Sequence, residues 1–210
     1  MRFADRGHAG RVLSGRLGHL RGQDVVVLGL PRGGVPVADE VARALAAPLD
    51  AVVVRKLGLP GQPELAMGAV GEGGVVVRNV GLLRRTGITE QEFDEVLRRE
   101  QAEVERRAAR VRSGRTRCPV EGRTAVVVDD GLATGATARA ALQVLRAAGA
   151  GRVVLAVPVA PSDTLADLRQ HADEVVAVLT PHRFRSVSTW YDDFTPTSEQ
   201  EVVALLQAPS

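Results

Sequence analysis

The chain has 210 residues, 45% of them hydrophobic, enough for one domain with a substantial core. A net charge of +2 is too small to mark a nucleic-acid-binding surface, and the lone cysteine, Cys118, excludes an internal disulfide. No apolar run has the length of a membrane span and the N-terminus lacks a signal-peptide core, so the sequence reads as soluble and cytoplasmic.

In chain order, a first strand is predicted at 24–30 (DVVVLGL). A helix over 37–47 follows, with Val37, Val41 and Leu45 on one face, then a second strand at 50–56 (DAVVVRK). Residues 57–123 interrupt this alternation. Their Gly- and Pro-rich start is expected to turn back on itself around Glu72-Gly73-Gly74. The 57–88 segment is expected to act as a lid, with Gly58, Gly61, Gly68 and Gly71 as flexible points. A long charged helix is predicted over 89–114, opened by a Thr89/Glu92 capping box. Its apolar stripe is Phe93, Val96, Leu97, Val104, Ala108 and Val111. That stripe suits a surface helix laced with ion pairs, or one packed on a second subunit in a homodimer.

A third strand is predicted at 124–130, a helix over 136–151 ending at glycine, and a fourth strand at 152–159. A helix over 162–172 with Ser162 as N-cap and a fifth strand at 174–179 complete the pattern. The strands are short, β-branched and almost continuously apolar, as parallel strands covered on both faces must be. The expected fold is therefore α/β, a doubly wound, mainly parallel five-stranded sheet in a single domain over 1–210. Ligands in such sheets bind beyond the carboxyl ends of the strands. Residues 181–210 leave the pattern and are expected to form a small C-terminal hood. It holds four of the six aromatics, Phe184, Trp190, Tyr191 and Phe194, and a last helix from Ser198, boxed by Glu201.

The segment VVVDDGLATGAT (126–137) ends an apolar run on two carboxylates, a costly arrangement unless both are matched. Familiar glycine loops are excluded. Gly135 is followed by Ala136, where a P-loop needs lysine. Acids and glycines share one loop, whereas a dinucleotide fold separates them by about 20 residues. A phospho-acceptor domain would want its acid pair after the first strand and a lysine after the last. The four histidines show no metal-ligand spacing, and no Ser-His-Asp or Cys-His signature occurs. Asp129 and Asp130 suit two vicinal hydroxyls, while Thr134, Thr137, the backbone N–H groups of the turn and a helix N-terminus suit an anion. The combination fits a 5-phosphoribosyl group. In PRGG (31–34), Arg32 supplies a forked donor, and Gly33 and Gly34 let backbone approach closely. Arg55 and Lys56 are placed on the same rim, and Lys56 is the only lysine in the chain.

VVVDDGLATGAT closely resembles the PRPP-binding loop of type I phosphoribosyltransferases. LGLPRGGVPVA, VRKLGLPGQPELAMGAV and RFRSVSTWYDDF extend the likeness over nearly the whole chain, to a bacterial group whose acceptor is unassigned. The resemblance implies that Asp129 and Asp130 contact the ribose hydroxyls and that Ala133, Thr134, Gly135, Ala136 and Thr137 hold the 5-phosphate. It implies that Arg32, Gly33 and Gly34 bind pyrophosphate. Arg55 and Lys56 would add positive charge for that leaving group. Arg32, Lys56 and Asp130 would be the catalytic residues. Mg²⁺ is expected through PRPP, with Asp129 as a candidate ligand and no direct cluster of protein ligands. Alanine at 133, where the hypoxanthine–guanine branch has an acid, argues against a 6-oxopurine acceptor. Glu64 and Glu72 are weak candidates for acid–base work. Phe184, Trp190 and Tyr191 could stack an acceptor base whose edge Asp192 or Asp193 reads, or could simply pack the last helix. The implied activity is transfer of 5-phosphoribosyl from PRPP to a nitrogenous acceptor with release of pyrophosphate. A non-catalytic PRPP or nucleotide sensor is the alternative.

Overall fold

The computed structural model describes residues 1–208, so the expected hood and domain boundary at 210 run two residues past the described ones. Among the described residues the elements are α1 (Arg6–Ser14), β1 (Val25–Gly29), α2 (Gly34–Leu45), β2 (Leu49–Ala51), β3 (Val54–Leu59), β4 (Gln62–Gly71) and β5 (Val76–Arg78). There follow α3 (Val80–Thr86), α4 (Glu90–Arg112), β6 (Thr124–Val128), α5 (Ala136–Ala147), β7 (Arg152–Val159), α6 (Ser162–Leu168), β8 (Glu174–Leu179) and α7 (Glu199–Gln207).

Five strands form the expected parallel sheet, in the order β2-β1-β6-β7-β8. Alternate residues face opposite layers. Val25, Val27, Val126, Val128 and Val154 join α1, α2 and α7. Val26, Leu28, Val127, Val153 and Leu155 join α5 and α6. The chain winds outward from β1 to β2 on one side and from β6 to β8 on the other. β1 and β6 are therefore the neighbours at which the winding reverses, and the loops that follow them part to open a crevice.

Three local readings change. The run predicted as one strand at 50–56 is two strands in two sheets. β2 ends at Ala51, and β3 starts a separate antiparallel sheet ordered β3-β4-β5. An apolar run gives no signal for such a change, because Val52 and Val53 are buried on either side of it. The 57–88 segment is mostly this sheet plus α3. It makes the expected turn at 72–74 and a second, unforeseen one at Pro60-Gly61. Gly68 and Gly71 are packing positions, where a side chain would strike Val77 and Val144, while Gly61 sits at the projecting tip with φ 77°. Third, Ser162 opens α6 but makes no capping bond.

α4 carries the capping box, with the Glu92 N–H donating to Thr89 Oγ1 at 3.2 Å. Its stripe is covered by the chain's own second sheet: Phe93, Val96, Val104 and Ala108 pack with Leu57, Leu59, Met67 and Val70. α1 was not foreseen. Its sequence is mostly polar or small, and Asp5 caps it by accepting the His8 N–H at 2.7 Å. The last helix starts as expected, with Ser198 Oγ accepting the Glu201 N–H at 3.1 Å.

Candidate functional site

The loops after β1 and β6 meet at the crevice. Gly34 leads into α2 so close to β6 that a Cβ there would lie 2.5 Å from the Val128 carbonyl and 2.9 Å from Asp129 Cα. A Cβ on Gly33 would collide with the Asp130 carboxylate. Glycine is required at both places by contact, since neither has a left-handed backbone. The PRGG loop and the acid pair are thus one surface built from two sequence segments.

Asp129 Oδ1 accepts the Asp130 N–H at 2.9 Å. Asp130 Oδ2 accepts Arg6 Nε at 2.8 Å. Burial and then the adjacent Asp130 charge push the Asp129 carboxyl well above the usual range. Asp130 is raised by burial too, with Arg6 pulling the other way.

Beyond the acids, the turn is braced from outside. Leu132 N–H donates to Val159 O at 2.9 Å, and Thr164 Oγ1 donates to Ala133 O at 2.8 Å. Gly135 takes φ 68° as the N-cap of α5, pressed against Leu168 and Thr164, and offers no side chain to the first-turn N–H groups. Those donors and the exposed Thr137 face a cleft of about 1200 Å³. Arg32, Arg55, Lys56, Ala136 and Thr137 line it together. Arg32 and Lys56 are exposed and make no ion pair among the described residues.

Several candidates stand elsewhere than expected. Arg55 and Lys56 lie on β3 of the second sheet, not at the end of β2, though both still reach the cleft. Arg55 Nε donates to Glu100 Oε2 at 2.7 Å. Burial alone would raise the Glu100 carboxyl, but Arg55 and Arg99 outweigh it and hold the carboxyl low. Glu72 is not a surface residue: it is buried in an ion cluster with Arg112 and Asp50. Glu64 is exposed near the second turn. Tyr191 is no stacking wall. Its ring is buried between Phe3 and Phe194, its hydroxyl donates to the Asp130 carbonyl at 2.5 Å, and burial pushes that hydroxyl up. Trp190 is half-buried beside the same cluster and Phe184 is half-buried. Asp192 pairs with Arg2 at 3.2 Å. Asp193 Oδ1 accepts the Thr195 N–H and hydroxyl at 2.9 and 2.6 Å.

Fold and site together define a doubly wound α/β protein with an acid pair and an open helix N-terminus at its switch point, where sheets of this kind bind their ligands. The family model described as phosphoribosyl transferase domain matches residues 7–193. The chain belongs to that family. Proteins from two strains of Mycobacterium tuberculosis, provisionally named phosphoribosyl transferases, are 58% identical over 204 residues, or 97% of this chain. The chain spans 46% of their length. The crystal structure of TT1426 from Thermus thermophilus is 47% identical with a TM-score of 0.92, covering 98% of both chains. AQ2163 from Aquifex aeolicus, 12% identical with a TM-score of 0.51, covers 98% of this chain and 86% of its own, and shares the fold alone. Among the described residues no helix is long and apolar enough to cross a membrane.

Proposed function

We propose that this domain transfers the 5-phosphoribosyl group of PRPP to a nitrogenous acceptor and releases pyrophosphate. The contact of Gly33 and Gly34 with the acid pair carries the reading. It brings the PRGG loop against the two carboxylates, next to a cleft that Arg32, Lys56, Ala136 and Thr137 line, which supports a diol site beside an anion site and a cationic rim. The acids take O2 and O3 of the ribose. The α5 N-terminus, with Thr134 and Thr137, takes the 5-phosphate. Arg32, the PRGG backbone and Lys56 take the pyrophosphate. The acceptor lone pair forms the new bond to C1 as the C1–O bond breaks, the bond pair leaves on pyrophosphate, and the acceptor's N–H proton is released to solvent. Clamping both ends of PRPP aligns this displacement, and the cations stabilise the charge that develops.

Mg²⁺ fits the donor set, because an ion held mostly by phosphate oxygens and water needs only one or two carboxylates. Asp129 would hold it, and it would neutralise pyrophosphate charge. The Pro60-Gly61 tip of the β3–β4 turn, beside Lys56, would close over the site against water. With Tyr191 engaged elsewhere, an acceptor base would stack on Phe184 or Trp190, or lie between the crevice and the second sheet. Alanine at 133 argues against a 6-oxopurine.

The engagement of Asp192, Asp193 and Glu72 in contacts within the protein leaves only the exposed Glu64 as a candidate acid or base for the acceptor, which favours a PRPP sensor as second reading. A screen of nucleobases and small amines for PRPP-dependent pyrophosphate release with Mg²⁺ separates the two. Release with one acceptor supports the transferase. Tight PRPP binding with no turnover across the panel supports the sensor. Arg32→Ala is expected to weaken pyrophosphate binding about tenfold and ribose 5-phosphate binding less than threefold. Calorimetric titration of both ligands checks this, and equal losses would refute the leaving-group role.

A further inference from the structure

The Arg6 guanidinium sits where four segments meet. Its Nε donates to Asp130 Oδ2 at 2.8 Å, and its Nη1 donates to Thr195 O at 2.7 Å. Its face lies 4.1 Å from the centre of the Phe194 ring. A Cβ on Gly33 would come within 3.2 Å of Nε, so the PRGG loop presses on the same ion pair. The pair is well shielded, with side chains 12% and 14% exposed. The two chain ends hold Arg6 there. Phe3 N–H donates to Trp190 O, Asp192 N–H to Phe3 O and Asp193 N–H to Ala4 O, each at 2.8 Å.

Counting acceptors shows what the arrangement leaves for a ligand. Asp129 Oδ1 holds the Asp130 N–H and Asp130 Oδ2 holds Arg6. Each carboxylate therefore keeps one oxygen without a protein partner among the described residues, Oδ2 of Asp129 and Oδ1 of Asp130. A vicinal diol offers two hydroxyl donors to match them. Without Arg6, Asp130 would be free to rotate, and the acid pair would carry an uncompensated second charge.

We propose that Arg6 is a positioning residue for the ribose subsite: by fixing Asp130 Oδ2 from the seam between the chain ends, it aims the remaining oxygen at the sugar diol. The inference rests on the phosphoribosyl reading above. It also goes past the family match, which begins one residue after Arg6.

Arg6→Gln, Arg6→Lys and wild type are titrated calorimetrically with PRPP and separately with pyrophosphate. Arg6→Gln is expected to weaken PRPP about tenfold and leave pyrophosphate within twofold, because Arg32 and Lys56 are unchanged. Arg6→Lys keeps the charge but not the fork, and is expected to recover part of the PRPP loss. If Arg6→Gln does not fold, Phe194→Leu takes its place. It loosens the guanidinium without removing it, and is expected to cost PRPP about threefold and pyrophosphate nothing. Unchanged PRPP affinity, or equal losses for both ligands, would overturn the role of Arg6 while leaving the phosphoribosyl reading standing. Failure of the wild type to bind PRPP would overturn both.

Discussion

Asp129→Asn is expected to raise the melting temperature while removing most PRPP affinity. The asparagine Oδ1 can still accept the Asp130 N–H, so the turn keeps its geometry. What disappears is a buried charge beside a second carboxylate, the arrangement that pushes Asp129 upward. Because its carboxyl is raised on folding, the native protein binds the proton more readily than the unfolded chain between the ordinary carboxylate range and the raised one. Wild-type stability therefore falls as pH rises through that window. The variant should keep only the part of this slope that Asp130 contributes and melt roughly 2–4 °C higher at neutral pH, the shift that about 1 kcal/mol produces in a domain of this size. PRPP affinity should drop by about 10- to 100-fold, the loss of one hydrogen bond to a charged group. For the wild type, PRPP affinity should strengthen as pH rises and Asp129 ionises. Pyrophosphate titrated without Mg²⁺, proposed to bind Arg32 and Lys56 and not the acids directly, controls for titration of the phosphates. Thermal melts and titrations across pH check all three. A variant that melts lower than wild type, or binds PRPP equally well, would contradict the assignment.

Arg112→Met is expected to be the most destabilising single change. Arg112 lies at the end of α4 with its side chain 7% exposed; Asp50 and Glu72 are 1% and 9% exposed. Its Nε donates to Asp50 Oδ1 at 3.0 Å, its Nη2 to Ala51 O at 2.7 Å, and both Nη atoms to Glu72. The carboxylates have further duties. Glu72 Oε1 accepts the Val53 N–H at 3.1 Å, and Asp50 Oδ2 accepts the Cys118 N–H at 2.8 Å. The cluster therefore pins the point at which the chain leaves the parallel sheet for the antiparallel one. Removing the cation strands two buried carboxylates, which costs about 3–5 kcal/mol. In a domain of this size that lowers the melting temperature by on the order of 10 °C. The deficit relative to wild type should shrink as pH falls, because the stranded carboxylates protonate in the native state. Lys56 follows on β3 six residues after Asp50, so a folded Arg112 variant should also hold pyrophosphate less well. Denaturant unfolding at two pH values tests the account. A loss under 1 kcal/mol, or one that grows in acid, would refute it.

Four of the five parallel strands, β1, β6, β7 and β8, are legible because a strand covered on both faces is apolar along most of its length. The long helix and the last one announce themselves through their Thr89 and Ser198 caps. The acid-pair and PRGG loops are legible because their chemistry is local. What stays hidden is what joins residues far apart in sequence. Arg6 meets Asp130 across 124 positions and Arg112 meets Glu72 across 40. Tyr191 looks like a stacking residue until Phe3, from the other end of the chain, is seen covering its ring. The split of 50–56 is hidden for another reason: Val52 and Val53, which link the two sheets, are as buried as strand residues. Arg6 had one available signal, an arginine just after the Asp5 cap, but nothing in its neighbours says what it faces.

The most direct test is a crystal structure of the protein soaked with PRPP and Mg²⁺. The account predicts the ribose diol on Asp129 and Asp130, the 5-phosphate against Thr134–Thr137 and the pyrophosphate against Arg32–Gly34. PRPP bound at any other place, or a crevice left empty at saturating PRPP, would contradict it.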